Sequence, residues 1–112
     1  MANVTEVSVE QFDKDVLTSP TPVVVDFYAP WCGPCRMLAP VLDVVSQKFA
    51  GRARFVKVNV DNAGELAERY NVSGVPTVLF MRDGVEVDRV VGFVPPQVIA
   101  SKVERLTPVA VG

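Results

Sequence analysis

Histidine is absent from this chain of 112 residues, and cysteine occurs only twice. Without histidine there is no side chain whose ordinary pKa lies near neutrality, so any proton transfer must fall to a perturbed group. Two cysteines and no histidine also fall short of the four ligands of a structural zinc site unless two copies combine, and no metal ligand is assigned. A basic cluster is missing too: the net charge is −2 and the pI about 5.0, which argues against nucleic acid or an anionic membrane surface as the partner. No apolar run approaches the roughly 20 residues of a membrane span. Met1–Glu6 lacks a basic region followed by an apolar core, so no secretory signal is expected. There are no repeats, linkers or low-complexity segments.

With 49% hydrophobic residues, the chain is expected to bury its core as one domain over residues 1–112, without a metal or extra crosslinks. The core is placed at about 5–106, with a frayed tail from Thr107 to Gly112, and a monomer is expected. Two cysteines in a chain with no visible signal fit a reducing cytosol. A mature organellar form with its presequence removed reads the same way.

Ser8 and Gln11 form a capping-box pattern before Phe12 and Val16, predicting a short helix that ends near Thr18-Ser19-Pro20. Val23-Val24-Val25-Asp26-Phe27-Tyr28-Ala29 reads as a strand covered on both faces, with one acid inside it. A helix from Cys32 to about Phe49 carries Leu38, Leu42, Val45 and Phe49 at helical spacing. Pro40 deprives the Arg36 carbonyl of its partner there, which predicts a kink. Arg54–Val60 reads as a strand, and Asn62 with Glu65 predicts the cap of a short helix through Tyr70. Thr77–Met81 and Glu86–Val91 flank Asp83-Gly84, a hairpin signal. Pro95 and Pro96 suit the start of a last helix that buries Ile99, Val103 and Leu106. The order β-α-β-α-β-α-β-β-α predicts an α/β fold with a mixed sheet between helical layers.

Both cysteines lie in Trp31-Cys32-Gly33-Pro34-Cys35, where a strand hands over to a helix. A spacing of i, i+3 across a first helical turn places the Cα atoms about 5–6 Å apart, within disulfide range, so the pair can close and open without a large backbone movement. At the helix N-terminus the Cys32 sulfur faces unpaired N–H groups and the positive end of the dipole, which favour the thiolate. Gly33 keeps bulk away from the sulfur, and Pro34 loses nothing in a first turn. Cys35, one turn deeper, is the resolving thiol that attacks a Cys32 mixed disulfide. A crosslink for stability alone explains the pair poorly, since closing a four-residue loop yields only about 2 kcal/mol. Asp26, among apolar neighbours, is expected to be buried with a raised pKa and to act as a proton acceptor; an acid at a strand end facing solvent is the plainer alternative.

The five contiguous residues Trp31–Cys35, Asp26 six residues before Cys32, and Val75-Pro76-Thr77 further on resemble the thioredoxin family over roughly Thr5–Leu106. The resemblance implies a five-stranded, mostly parallel sheet with an antiparallel C-terminal hairpin and four flanking helices. It implies that Asp26 takes the Cys35 proton through water and that Lys57, on the adjacent strand, modulates its charge; a plain surface lysine is the alternative for Lys57. It further implies a cis peptide before Pro76, a Val75 backbone that pairs with extended substrate, and a docking surface of Trp31, Gly74, Val75, Gly92 and Phe93 around Cys32. The implied activity is the reduction of protein disulfides, with no cofactor beyond the dithiol and with electrons from a thioredoxin-reductase-type donor. Isomerase or oxidase activity and a non-catalytic binding subunit are the alternatives; Gly-Pro between the cysteines favours reduction. Tyr28, where many members carry tryptophan, and Pro30 before Trp31 depart from the common pattern.

Overall fold

The computed structural model describes residues 3–107. Five strands and four helices alternate as β1 (Val4–Glu6), α1 (Val9–Phe12, continuing in π-type winding over Asp13–Leu17), β2 (Val23–Tyr28), α2 (Gly33–Lys48), β3 (Arg54–Asn59), α3 (Gly64–Arg69), β4 (Thr77–Arg82), β5 (Val85–Val91) and α4 (Pro96–Leu106). The sheet order is β1-β3-β2-β4-β5. β1, β3 and β2 run parallel, and β4 and β5 are antiparallel to their neighbours.

Alternation along the strands sorts the core into two layers. Val23, Val25 and Phe27 of β2 join Val56 and Val58 of β3 and Leu79 and Met81 of β4 against Phe12, Val16 and Leu66. Val24, Phe55, Val78 and Phe80 face the other way, onto Leu38, Leu42, Val45 and Phe49 of α2 and Ile99, Val103 and Leu106 of α4. Period two therefore puts Asp26 on the face of Val24, beneath α2, and Lys57 on the face of Phe55.

The local signals hold at most ends. Ser8 and Gln11 close the expected capping box. Asp83 and Gly84 both adopt positive φ, 53° and 77°, as a tight hairpin turn requires. A Cβ at Gly84 would lie 2.9 Å from the Leu17 carbonyl oxygen, so this turn is pressed against the end of the first helix. Helix α2 extends through Pro40 from Gly33 to Lys48.

Two expectations are corrected. The cap of α3 is Ala63, with no side-chain hydrogen bond, and not Asn62. The turn before it is closed instead by Asn59, whose carbonyl accepts from the Asn62 and Ala63 N–H groups and whose side chain accepts from Asp61 N–H. Thr107 is not frayed: it is buried, its hydroxyl donates to the Val103 carbonyl, and Arg52 Nη2 donates to Thr107 Oγ1 at 3.1 Å. The remaining tail, 108–112, lies outside the described residues.

Candidate active site

The site forms where β2 ends and α2 begins, beside the start of β4. Cys32 is the N-cap of α2 in extended conformation, and the Cys35 N–H donates to Cys32 Sγ at 3.2 Å. Pro34 fills the first turn, where its missing N–H removes no bond. The two cysteines are joined as a disulfide with Cα atoms 5.2 Å apart. Cys35 is 3% exposed and Cys32 5%, so both residues are almost fully covered. Ala29 packs with the pair, and Tyr28, Val60 and Val75 border it.

Beneath Cys35, Asp26 is 4% exposed, and its Oδ1 is buried with no protein hydrogen-bond partner. Burial pushes the carboxyl up to about 7, with the Lys57 charge acting in the opposite sense. A carboxyl with a pKa near 7 is able to exchange a proton at neutral pH, the range of an ordinary histidine, which this chain lacks. A cavity of about 280 Å³, lined by Asp26, Cys35, Tyr28, Ala39, Arg36 and Lys57 among others, connects the acid with the inner thiol. The register pairs Lys57 with Asp26 across β3 and β2. Its ammonium, however, lies 5.4 Å from the centre of the Tyr28 ring, and no ion pair with Asp26 forms. The solvent-facing alternative for Asp26 is excluded, and Lys57 is half-buried beside it rather than on an open surface.

The peptide before Pro76 is cis, and the Val75 carbonyl oxygen lies 3.7 Å from Cys32 Sγ. Pro76 itself is buried, so its neighbour Val75 rather than its own ring meets the surface. The Gly92 N–H donates to the Pro76 carbonyl at 2.8 Å, which ties the start of the β5–α4 connection to the segment that carries Val75. Gly92 needs its glycine for a φ of 87°. At Gly33 and Gly74 a Cβ would touch nothing within the chain. Internal packing does not demand glycine at either position.

Trp31, next to Cys32 in the chain, is 68% exposed, and Phe93, next to Gly92, is 44% exposed. Asp61 was not foreseen from the sequence. The Trp31 indole N–H donates to its carboxylate at 3.2 Å, which fixes the ring in an otherwise open position. Asp61 lies in the turn after β3, thirty residues from Trp31, and no local motif connects the two.

The thioredoxin family model matches residues 3–105 of the chain. A thioredoxin of Synechocystis sp. is 46% identical over 105 residues, covering 94% of this chain and 98% of that protein. Thioredoxin 1 of Nostoc sp. is 42% identical over the same length and coverage. The chloroplastic M-type thioredoxin of Pisum sativum is 45% identical over 94 residues, 84% of this chain and 55% of the other. No described helix is long and apolar enough to cross a membrane. A dithiol at a helix end and likeness along nearly the whole length agree: the chain belongs to the thioredoxin family, a thiol–disulfide oxidoreductase that reduces protein disulfides with its own Cys32–Cys35 pair.

Proposed function

We propose that the protein is a dithiol electron carrier in which Cys32 attacks, Cys35 resolves and Asp26 manages the proton of the second step. The Cys32 thiolate attacks one sulfur of a substrate disulfide. The other sulfur leaves as a thiolate, and a mixed disulfide forms at Cys32. Cys35 then gives its proton to Asp26, through water in the shared cavity, and attacks Cys32 Sγ. The second substrate sulfur departs as a thiolate and the Cys32–Cys35 disulfide closes. Two electrons have passed to the substrate, whose thiolates take protons from solvent or from Asp26. Gly33 and Pro34 keep the approach to Cys32 open. Trp31, Gly74, Val75, Gly92 and Phe93 form the docking rim, with the Val75 backbone next to the reacting sulfur and Pro76 holding it there.

The observation that carries this reading is the seat of Cys32 Sγ on the Cys35 N–H at the start of α2. That donor stabilises a sulfur carrying negative charge more than a neutral thiol, so it favours Cys32 as the thiolate nucleophile of the first step. Regeneration then requires a dithiol reductase of the thioredoxin-reductase type, and the clients are folded proteins with accessible disulfides. A monomer in a reducing compartment, the cytoplasm, suits a chain whose two cysteines both serve the redox pair. Lys57 is assigned an electrostatic influence on Asp26 and no contact with substrate.

The test is single-turnover reduction of a protein disulfide by the reduced chain, with mass spectrometry of quenched samples. The wild type should yield substrate dithiol and oxidised protein in equal amounts, and Cys32→Ser should yield neither. Product formation by Cys32→Ser at the wild-type rate would overturn the assignment.

A further inference from the structure

Glu6, Lys57 and Asp26 are register partners across β1, β3 and β2, so their side chains form a row of alternating charge on the sheet face beneath α2. Tyr28, two residues after Asp26, emerges on that same face. Its hydroxyl donates to Glu6 Oε1, reaching from β2 over β3 to β1. The side chain thus crosses above Lys57, whose ammonium lies 5.4 Å from the ring centre. Burial, followed by the bond to Glu6, pushes the Tyr28 phenol up to about 12, so it stays a donor throughout the working pH range. Lys57, despite its place next to Asp26 in the register, forms no ion pair with it.

We propose that Tyr28 is a positioning residue: tethered by Glu6, it holds the Lys57 ammonium on its ring and away from the Asp26 carboxylate, leaving Asp26 basic enough to accept a proton. The competing interaction is strong. A half-buried ammonium that closed on a buried carboxylate would stabilise the ionised form and make it a poor base. The ring offers the ammonium an alternative resting place with a favourable cation–π attraction and no proton chemistry of its own. The other charged or titratable groups around Asp26 do not perform this task. On α2, Cys35 is the reacting thiol. Arg36 also lines the cavity, but its Nη1 donates to the Pro30 carbonyl at 2.8 Å. Asp43, also on α2, lines a smaller adjoining cavity with Asp26 and Lys57 and repels a second negative charge. β4 contributes Val78 opposite Asp26, which carries no charge.

The function assigned to Asp26 rests on the mechanism proposed above, but the tether is tested without it. The Asp26 carboxyl is titrated by carbon NMR in the full-length oxidised protein as wild type, Tyr28→Phe and Tyr28→Leu, each also in a Lys57→Met background. At an effective dielectric near 20, drawing an ammonium in from roughly 6 Å to roughly 4 Å of a carboxylate lowers its midpoint by about one unit, which sets the scale of the expected effect. Tyr28→Leu should show that fall, and Tyr28→Phe, which keeps the ring but loses the Glu6 bond, a smaller one in the same direction. Both shifts should vanish when Lys57 is methionine. An unmoved midpoint in both variants, or an equal shift with Lys57 removed, overturns the proposal. The pH profile of mixed-disulfide resolution, recorded on the same variants, separates the two layers. If the Asp26 titration moves and the resolution profile does not, the tether stands and the proton-acceptor role of Asp26 fails.

Discussion

Replacing Asp26 with alanine should make the protein more stable at neutral and alkaline pH, and the size of the gain follows from the site. The carboxyl titrates near 3.8 when exposed and near 7 when buried here. Its folded-state pKa is raised, so between those values the folded protein keeps a proton that the unfolded chain has released. Stability then falls as pH rises through this window, at about 1.4 kcal/mol per unit for a single proton. From pH 4 to pH 8 the accumulated penalty is about 4 kcal/mol, and above the folded pKa it no longer grows. Asp26→Ala removes it. The side chain already borders a cavity, so the lost volume adds little to the space beneath α2. Urea unfolding of wild type and variant at pH 4 and pH 8 gives the answer as a difference of differences, in which pH effects from all other groups cancel. The expected value is a stabilisation larger at pH 8 than at pH 4 by about 4 kcal/mol. A stability difference independent of pH, or one larger at pH 4, would refute the burial reasoning.

Cys35→Ser should stop the reaction at the mixed disulfide, and a covalent adduct of Cys32 with substrate should accumulate by mass spectrometry; free turnover in that variant would contradict the resolving role. Gly84→Ala forces a side chain into a left-handed conformation and against the Leu17 carbonyl, so thermal or urea unfolding should show a loss of about 1–3 kcal/mol. Asp61→Ala frees the only tryptophan, Trp31, and its fluorescence should change. Reduction of a protein disulfide by that variant should slow by about two- to fivefold in kcat/KM, the equivalent of about 0.5–1 kcal/mol and the low end for a single hydrogen bond because solvent replaces it at an exposed site, with small-molecule disulfides unaffected.

Most of the architecture was legible because period and punctuation agreed along the chain. The run Val23–Tyr28 is almost wholly apolar and proved to be the central strand, with neighbours on both edges and helices on both faces. Within it, simple alternation sets Asp26 beneath α2 on the same side as the cysteines. Asp83-Gly84 and Pro95-Pro96 marked their turn and helix start because backbone chemistry at those residues permits few other conformations. Asn62 misled because a cap is defined by where the helix begins, and the Asn59 carbonyl draws in the two preceding N–H groups first. Thr107 was misread because terminal position says nothing about Arg52, fifty-five residues away, which reaches back to it. The π-type winding of Asp13–Leu17 had no signal in spacing alone.

At the site, the dithiol, its helix end and the buried acid followed from residue chemistry, while the second layer of contacts did not. Asp61 on Trp31 and Glu6 on Tyr28 each join residues more than twenty positions apart, on elements that only the strand order brings together. The sequence placed Lys57 near Asp26 by analogy of strands. That its ammonium rests on the Tyr28 ring depends on side chains from three strands at once, and no pairwise pattern contains that information.

The most direct test of the central claim is the equilibrium between dithiol and disulfide at Cys32 and Cys35, followed by alkylation and mass shift across graded thiol–disulfide buffers. A reductase requires the pair to be oxidised even in buffers as reducing as the glutathione pool, so that its dithiol passes electrons onward to other disulfides. The predicted result is one cooperative two-electron transition on the reducing side of glutathione, lost in Cys35→Ser. A pair that stays reduced far into oxidising buffers, or that never forms an intramolecular disulfide, would contradict it.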